Sequence, residues 1–387
     1  MKNILRIAIA ILTAGLVACE EPPAPIVPDT TIASLGQPGD NEILFTTIDG
    51  RELMALNDDA FNANITSIEY VEYGVNIICF DAPLTTIGAG AFDNCRNINN
   101  ISLPESVTTI GERAFYECIQ LECISLGAQI KKIGANAFDN CVSLHSLHIS
   151  SIGYWSQIEF ANPTANPINN SGCFIVNGKK VKDLAIPNWV SHISDYAFYN
   201  YINMSSVKIP ASIKSIGKDA FAYCEGLSKV DIESVAEWCK IEFANTYSNP
   251  LSMTGTLTQN GQTLSTLSLE GVEAIVPRAF MGCSSITKLI TDKSLHTIGK
   301  ESFRGCEKLT SIELGEGVSG LSACAFMGCM TLKSVKCHAT VPPTLGDKYV
   351  FDYNAEGRKI YVPSEALDTY KSHEQWSRYA DSIEALK

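Results

Sequence analysis

Three stretches of the chain repeat one another at a fixed interval: TTIGAGAFDNC (85–95), TTIGERAFYEC (108–118) and KKIGANAFDNC (131–141). Each begins 23 residues after the one before it. The same pattern recurs in five further stretches, at 191–201, 214–224, 273–283, 296–306 and 319–329. A unit of this length cannot bury its own apolar side, so neighbouring units must stack and share one core. The sequence therefore predicts a repeat solenoid.

Each unit is predicted to contain one short strand and one tight turn of helix. The strand follows the Cys position, where apolar residues recur at i, i+3 and i+5, as in Leu121-Ile124-Leu126 and Leu309-Ile312-Leu314. The helical turn is placed at the Ala-Phe pair. Stacking sets the strands of neighbouring units about 4.8 Å apart, so we expect one parallel ladder.

Two longer units interrupt the regular spacing and are duplicates of each other. SIGYWSQIEFANPTANPINN (151–170) matches SVAEWCKIEFANTYSNPLSM (234–253) at an offset of 83 residues. Within the first of these units, IVNGKKVKDLAIP (175–187) contains an Asn-Gly pair typical of a β-hairpin turn. Its second strand is predicted to rejoin the ladder.

The N-terminus has the pattern of a secretory signal. Lys2 and Arg6 precede an apolar run from Ile7 to Val17, which is too short to span a membrane. The run ends at Leu16-Val17-Ala18-Cys19, which resembles a bacterial lipobox. That resemblance implies cleavage before Cys19 and acylation of its side chain. The alternative is an ordinary signal that is cleaved after Ala18 and leaves Cys19 unmodified.

A Pro-rich segment follows the predicted signal peptide. Residues 1–18 are interpreted as a lipoprotein signal peptide and residues 19–38, with five prolines, as a tether of extended chain. Glu20 and Glu21 resemble the surface-export signal of Bacteroides-group lipoproteins. This resemblance implies an outer-membrane location, with the protein exposed at the cell surface.

The repeats resemble the BspA-like leucine-rich repeat family, whose unit reads roughly I-x-x-I-G-x-x-A-F-x-x-C-x-x-L-x-x-I-x-L-P. The resemblance covers residues 84–338 closely and extends loosely to an N-terminal cap (39–83) and a C-terminal cap (339–387). It implies a right-handed leucine-rich repeat superhelix with a parallel β ladder, short helical turns, two longer hairpin-containing repeats and terminal caps. It also implies cell-surface display and, for some members, adhesion to host matrix proteins or other cells.

The C-terminal cap is predicted to contain a helix. Ser372 and Gln375 match a capping box, and Trp376, Tyr379 and Ile383 follow at helical spacing. Such a helix would cover the last coil and protect an open edge that could otherwise pair with other chains.

The composition and the motifs exclude several classes of function. The 387 residues carry a net charge of −13, which argues against nucleic-acid binding and against electrostatic docking on anionic lipid. Contact with the membrane is therefore expected through the N-terminal lipid only. The chain contains no G-x-S-x-G, H-E-x-x-H or C-x-x-C motif. We expect no catalytic activity, no metal site and no cofactor.

Fourteen cysteines raise the question of disulfides. Apart from Cys19, seven of them occupy the repeat position three residues after Phe: Cys95, Cys118, Cys141, Cys224, Cys283, Cys306 and Cys329. Tyr201 fills this position in the remaining unit, which indicates a packing position. A ladder with one Cys per coil favours free thiols, although distance alone does not exclude bridges between adjacent coils.

The predicted function is binding. Outward positions of the strands supply candidate binding residues, with an ordinary solvated face as the alternative: Ser102, Ser125, His148, Lys208, Asp231, Glu313 and Lys336. Trp155 and Trp238 are candidate aromatic anchors, or else core residues of the longer units. Exposed indoles would favour a glycan ligand, and buried ones a flat contact with a protein.

We expect a lipid-anchored, non-catalytic, monomeric protein of the cell surface. Its partner would be a host matrix protein, a cell-surface protein or a glycan, bound in adhesion. The alternative is a subunit that captures glycan or protein for a surface nutrient-uptake assembly.

Overall fold

The computed structural model describes residues 35–71, 74–172 and 174–387. The predicted signal peptide (1–18), Cys19 and the tether up to residue 34 lie outside these ranges. Within them, no helix is both long enough and apolar enough to cross a membrane. The described chain is a solenoid of stacked coils around one continuous core, as the repeats predict.

One side of the solenoid, which we call the strand face, carries the longer strands in three sheets. The first sheet contains, in spatial order, Lys179–Val181, Phe174–Val176, Ser146–Ile149, Cys123–Leu126, Ile98–Ser102, Glu42–Thr47, Asn76–Phe80 and Ile65–Glu69. The second contains Asp183–Ala185, Ser206–Ile209, Lys229–Ile232, Leu257–Gln259 and Gln262–Thr263. The third contains Thr266–Leu269, Lys288–Thr291, Ser311–Leu314, Ser334–Cys337, Lys359–Val362 and Ile383–Ala385. Within each sheet, successive repeat units pair parallel and in register, for example Ile124 with Leu147, which confirms the predicted parallel pairing, but the ladder is divided into three sheets.

A second set of parallel sheets, absent from the sequence interpretation, lies at the Ile-Gly part of each unit. Its two-residue strands are Thr86–Ile87, Thr109–Ile110, Lys132–Ile133 and Glu159–Phe160; His192–Ile193, Ser215–Ile216 and Glu242–Phe243; and Ala274–Ile275, Thr297–Ile298, Gly320–Leu321 and Thr344–Leu345. The coils approach each other closely here. A Cβ atom on Gly134 would lie 2.4 Å from the backbone nitrogen of Glu112, so there is no room for a side chain at Gly134. Other units carry Ser194, Val276 and Ser322 at this place.

The Ala-Phe segments form consecutive turns, so the prediction of a helical turn there is wrong. Left-handed residues such as Arg113 (φ 53°) and Glu117 (φ 54°) occur twice in each segment and interrupt any helix. The turns hydrogen-bond from coil to coil instead. The backbone N–H of Phe92, for example, donates to the carbonyl of Ala114 over 2.7 Å.

The helices of the described residues are short and lie in the longer units and the caps. The α-helices are Ile152–Trp155, Ile168–Ser171, Val235–Trp238, Leu251–Thr254 and Leu367–Ser372. The 3₁₀ helices are Asp58–Ala60, Pro163–Ala165, Thr246–Ser248, Ser364–Ala366 and Ser377–Ser382.

Columns of like residues fill the core. Phe92, Phe115 and Phe138 stack with centroids 5.1 Å apart and ring planes 7° from parallel. Beside this column, the thiol of Cys141 donates to the carbonyl of Phe115, one coil earlier, over 3.0 Å. The twelve described cysteines are all free thiols, in agreement with the interpretation of the Cys position as a packing position.

The predicted hairpin is present. Asn177 (φ 49°) and Gly178 (φ 72°) form its turn between two antiparallel strands. Beyond Lys182 the chain enters Asp183–Ala185, which pairs parallel with Ser206–Ile209 and so rejoins the ladder in a new sheet. A second hairpin at Asn260-Gly261 makes the same transition, and the two hairpins divide the strand face into its three sheets.

The two ends of the solenoid are covered differently. At the N-terminal end, Glu42–Thr47 pairs antiparallel with both Ile98–Ser102 and Asn76–Phe80. At the C-terminal end, one more coil extends into the segment assigned to the cap, where Phe351 stacks on Phe326 at 5.6 Å.

The predicted capping box is wrong. Ser372 ends the helix Leu367–Ser372 instead of preceding one, and its hydroxyl donates to the carbonyl of Asp368. Trp376 and Tyr379 are buried over the last coil. Ile383 lies in a strand rather than in a helix.

Candidate binding site

Six of the predicted binding residues lie on the outer side of the strand face. They form three cross-strand pairs, one in each sheet: Ser125 with His148, Lys208 with Asp231, and Glu313 with Lys336. The pairs differ in charge, so the strand face carries no surface of a single sign.

The prediction that Ser102 faces outward and can bind a ligand is wrong, because this residue is only 1% exposed. The first described residues of the chain lie across this end of the strand face. The hydroxyl of Ser102 donates to the carbonyl of Gly36 over 3.5 Å, and Leu35 packs against Leu44 and Cys123.

Several of the remaining strand-face groups are engaged within the protein. Asp231 accepts hydrogen bonds from the Thr258 hydroxyl (2.6 Å) and from the backbone N–H of Gly261 (2.8 Å). It therefore holds the turn of the second hairpin. Burial lowers the pKa of half-buried His148. Lys336 is exposed.

Other strand-face charges form ion pairs. Lys208 contacts Glu233 at 3.4 Å, and Glu313 contacts His338 at 3.1 Å. Exposed pairs of this kind contribute little to stability, so their side chains are free to exchange partners with a ligand.

Trp155 and Trp238 are core residues, with 2% and 1% of their surface exposed. Each indole N–H donates to a carbonyl in a following coil, that of Ala197 over 2.7 Å and that of Ala279 over 2.8 Å. Neither indole is available to a ligand.

The sequence analysis missed an exposed aromatic pair in the first long unit. Tyr154 and Trp189 are 50% and 52% exposed, and their ring centroids lie 5.2 Å apart with the planes inclined at 52°. They line an open cleft of about 430 Å³ together with Gln129, Lys131, Gln157 and Glu159. We call this the aromatic cleft. A signal was present in the sequence, because Trp189 stands where other units carry small or polar residues.

A second group of aromatic side chains lies on the turn side of the solenoid. Tyr199 and Tyr223 meet edge to face at 5.3 Å, and Tyr223 and Tyr247 stack at 6.4 Å. Tyr196 extends the group, with the ammonium of Lys218 5.8 Å from its ring. Tyr223 and Tyr247 are 54% and 49% exposed, but neither lines the aromatic cleft.

No group of three or more His, Cys, Asp or Glu side chains within residues 35–71, 74–172 and 174–387 is placed to hold a metal ion. The strand face and the aromatic cleft are open surfaces that a ligand can contact.

Comparison with protein families identifies the repeat. Residues 63–171, 166–272 and 273–374 match the BspA type leucine-rich repeat region, in six copies. The chain belongs to this family. BspA-type repeats thus account for nearly all of the solenoid, and solenoids of this kind are in general binding scaffolds.

The BspA-type chain is also similar to solved structures at low sequence identity. A leucine-rich repeat protein from Bacteroides ovatus is 20% identical, with 90% of this chain and 99% of that chain covered and a TM-score of 0.35. A leucine rich cell surface protein from Faecalibacterium prausnitzii is 19% identical, with coverages of 84% and 87% and a TM-score of 0.37. The pneumococcal vaccine antigen PcpA is 15% identical, with coverages of 83% and 86% and a TM-score of 0.34. No curated protein matches the chain.

Proposed function

We propose that this BspA-type protein is a lipid-anchored, non-catalytic recognition protein, displayed on the outer surface of a bacterial cell, that acts in adhesion. Its ligand is a protein or a glycan on the matrix or surface of a host. The observation that carries the proposal is the contrast between a uniform repeat core and a surface that departs from the repeat. Stacking requires similar interior residues in every coil. Exposed residues that differ between coils are not needed for stacking and are therefore available for recognition.

The strand face supports contact with a protein. Two of its three cross-strand pairs join opposite charges, Lys208 with Asp231 and Glu313 with Lys336, and the third joins Ser125 with His148. The burial of Trp155 and Trp238 removes the indoles that could have served there as glycan anchors. The extended surface of a solenoid suits contact with another protein.

The anchor is supported by Leu16-Val17-Ala18-Cys19 and by the acidic pair Glu20-Glu21. Mass spectrometry of the mature N-terminus from membranes is expected to find an acylated Cys19. An unmodified Cys19 would contradict the anchor without bearing on recognition.

Capture of a glycan for a surface uptake assembly is a second candidate function. It is favoured by the exposed pair of Tyr154 and Trp189, which suits a sugar ring better than a flat protein surface. A glycan ligand bound together with a membrane transport partner would favour this candidate over adhesion.

The proposal is tested by binding of the full chain to an array of matrix proteins and glycans. We expect saturable binding to at least one component. For a protein component, charge reversal on the strand face (Lys208→Glu with Lys336→Glu) is expected to weaken binding at least tenfold. The matched change Lys240→Glu, which lies outside the strand face, should leave binding unchanged. The absence of saturable binding to every component of the array would overturn the proposal.

A further inference from the structure

The duplicated long units allow an internal comparison of two equivalent surface sites. At the offset of 83 residues, Lys131, Tyr154 and Gln157 correspond to Lys214, Glu237 and Lys240. In the second unit, Glu237 contacts Lys214 at 2.9 Å and Lys240 at 2.8 Å, and these ammonium groups lower the pKa of its carboxyl. The first unit has no such cluster, because its central residue is a tyrosine and one of the lysines is a glutamine.

Trp189 differs from the residues of other units at a position where a serine side chain links two coils by a hydrogen bond. It directly precedes a buried apolar residue, Val190, as Ser106 and Ser212 do in other units. Those serine hydroxyls donate to a carbonyl of the preceding coil, from Ser106 to Leu84 over 2.8 Å and from Ser212 to Val190 over 2.7 Å. Trp189 has no hydroxyl to make this hydrogen bond, and half of its surface is exposed.

In the second long unit this stretch reads Glu270-Gly271 before Val272. It is one residue shorter than the first copy and carries no aromatic side chain. The aromatic cleft is thus particular to the first copy of the duplication.

The local backbone fixes the indole of Trp189. A Cβ atom on Gly153 would lie 2.3 Å from Cζ2 of Trp189, so the indole rests directly on the short helix Ile152–Trp155. The second copy has Ala236 at this position. Tyr154, next to Gly153, then holds its ring at 52° to the indole, and the two rings form one wall of the cleft.

Polar side chains supply the rest of the cleft. Gln157 donates one hydrogen bond to the carbonyl of Gly153 over 3.2 Å, which leaves its amide oxygen open. Among the described residues, no protein group hydrogen-bonds to the indole N–H of Trp189 or to the hydroxyl of Tyr154. Gln129 adds a second amide, and the charges of Lys131 and Glu159 balance each other.

This combination matches the chemistry of a sugar ring. A pyranose presents a face of C–H groups, which packs against the electron-rich face of an aromatic ring, and an edge of hydroxyls, which needs both donors and acceptors. The volume of about 430 Å³ lies within the range of small-ligand sites. An aromatic hot spot for a protein is instead expected in a well-packed pocket that excludes water.

We propose that the aromatic cleft binds an uncharged pyranose ring of a glycan, stacked on Trp189 and Tyr154. This inference rests on the proposed recognition function and names the ligand class of one of its two surfaces.

Fluorescence offers a selective test, because Trp189 is the single exposed residue among the four tryptophans, all of which lie in the described chain. The full chain is titrated with methyl glycosides and short oligosaccharides of glucose, galactose, mannose and N-acetylglucosamine. We expect at least one sugar to shift the emission to shorter wavelength and to protect it from acrylamide quenching, with saturation. Tyr154→Ala keeps Trp189 as the fluorescent probe and is expected to lower the affinity for that sugar at least tenfold. Tyr247→Ala, an equally exposed tyrosine on another surface, should change nothing.

Three results would overturn the inference. They are the absence of saturable protection by every sugar, unchanged sugar affinity in Tyr154→Ala, and a protein ligand whose binding Tyr154→Ala abolishes. If no sugar binds, a protein ligand that depends on the strand face but not on Tyr154 would still sustain the proposed function. Calorimetry with Trp189→Ala gives a second reading of affinity, and unchanged thermal unfolding of that variant excludes a folding defect.

Discussion

At the residue scale, the Cys position shows how one side chain serves both packing and hydrogen bonding. Cys118, Cys141 and Cys224 each donate to the carbonyl of the Phe one coil earlier, over 3.1, 3.0 and 3.1 Å. Tyr201 fills the same position in another coil, and its hydroxyl reaches the carbonyl of Val181 instead. A small side chain with a weak donor fits this place because the carbonyl it meets is buried.

The buried thiols predict a dependence of stability on alkaline pH. Burial raises the pKa of Cys141 from its ordinary value of 9.0 to about 12. The folded protein therefore holds this proton more tightly than the unfolded chain, so the stabilisation is complete below pH 9 and is lost as the pH rises to about 12. Cys141→Ala should lower the free energy of unfolding at pH 7 by about 1–2 kcal/mol, since it loses the hydrogen bond. Urea unfolding from pH 7 to 11 should show a shallower decline in the variant. Equal slopes in both proteins would contradict this assignment.

The sequence pattern favoured burial of Trp155 but gave no basis for predicting whether Trp189 is buried or exposed. Trp155 and Trp189 both lie in the first long unit, yet one is buried and the other exposed. Trp155 has apolar neighbours at the spacing of its duplicate Trp238, which favoured the core. Trp189 has no duplicate, and only the placement of Gly153 beneath its ring explains its position.

At the element scale, the close approach of two coils at Gly134 predicts that this residue does not tolerate a side chain. Gly134→Ala would place a Cβ atom 2.4 Å from the backbone nitrogen of Glu112, and relieving this clash should cost about 1–3 kcal/mol. Gly320 lies in an equivalent strand, and its nearest neighbour would be a side-chain oxygen 3.4 Å away. Gly320→Ala is therefore the matched control and should be nearly neutral in thermal unfolding. Equal destabilisation by both changes would contradict the close approach of the coils.

The C-terminal cap contains a side chain that replaces a missing strand. The side-chain amide of Gln375 donates to the carbonyl of Leu345 over 2.8 Å, and its oxygen accepts from the backbone N–H of Leu345 over 2.9 Å. Leu345 lies in the edge strand of the last sheet of two-residue strands. Gln375→Ala should cost about 1–3 kcal/mol and speed hydrogen exchange at Leu345. Glu374→Ala, at an exposed neighbour, is the control. Unchanged exchange at Leu345 would show that the edge is protected by other contacts.

Strand positions followed from sequence because the i, i+3, i+5 pattern repeats in register with the Phe and Cys positions. The two-residue strands did not, since two residues carry no periodicity. The helical turn at Ala-Phe was a wrong prediction because contacts with the neighbouring coil override the local helix propensity. Arg113 and Glu117 are good helix formers, yet hydrogen bonds to the neighbouring coil hold them in the left-handed region.

At the scale of the whole molecule, each coil contacts mainly its neighbours, so damage is expected to stay local. Phe303 stacks between Phe280 and Phe326 at 5.1 and 5.2 Å. Phe303→Ala should cost about 3–5 kcal/mol. Hydrogen exchange should then rise most in the third sheet and least in the first. Tyr353→Ala, on the surface, is the control. A uniform loss of protection along the chain would contradict the one-dimensional stacking.

The overall architecture was predictable from the sequence, because eight units in register leave few ways to stack. The site was not. The repeat predicts which residues must be alike, whereas the proposed glycan site depends on Tyr154 and Trp189, which differ from their counterparts. Their meeting across 35 residues of sequence depends on how the first hairpin returns the chain to the ladder.

The most direct test of this account compares the two copies of the duplicated unit on one mixed array of glycans and matrix proteins. The full chain, Trp189→Ala and Glu237→Ala are applied at equal concentration. The account predicts that Trp189→Ala loses glycan binding at least tenfold, while Glu237→Ala binds as the unaltered protein does. Equal binding by all three proteins, or loss in Glu237→Ala alone, would contradict it.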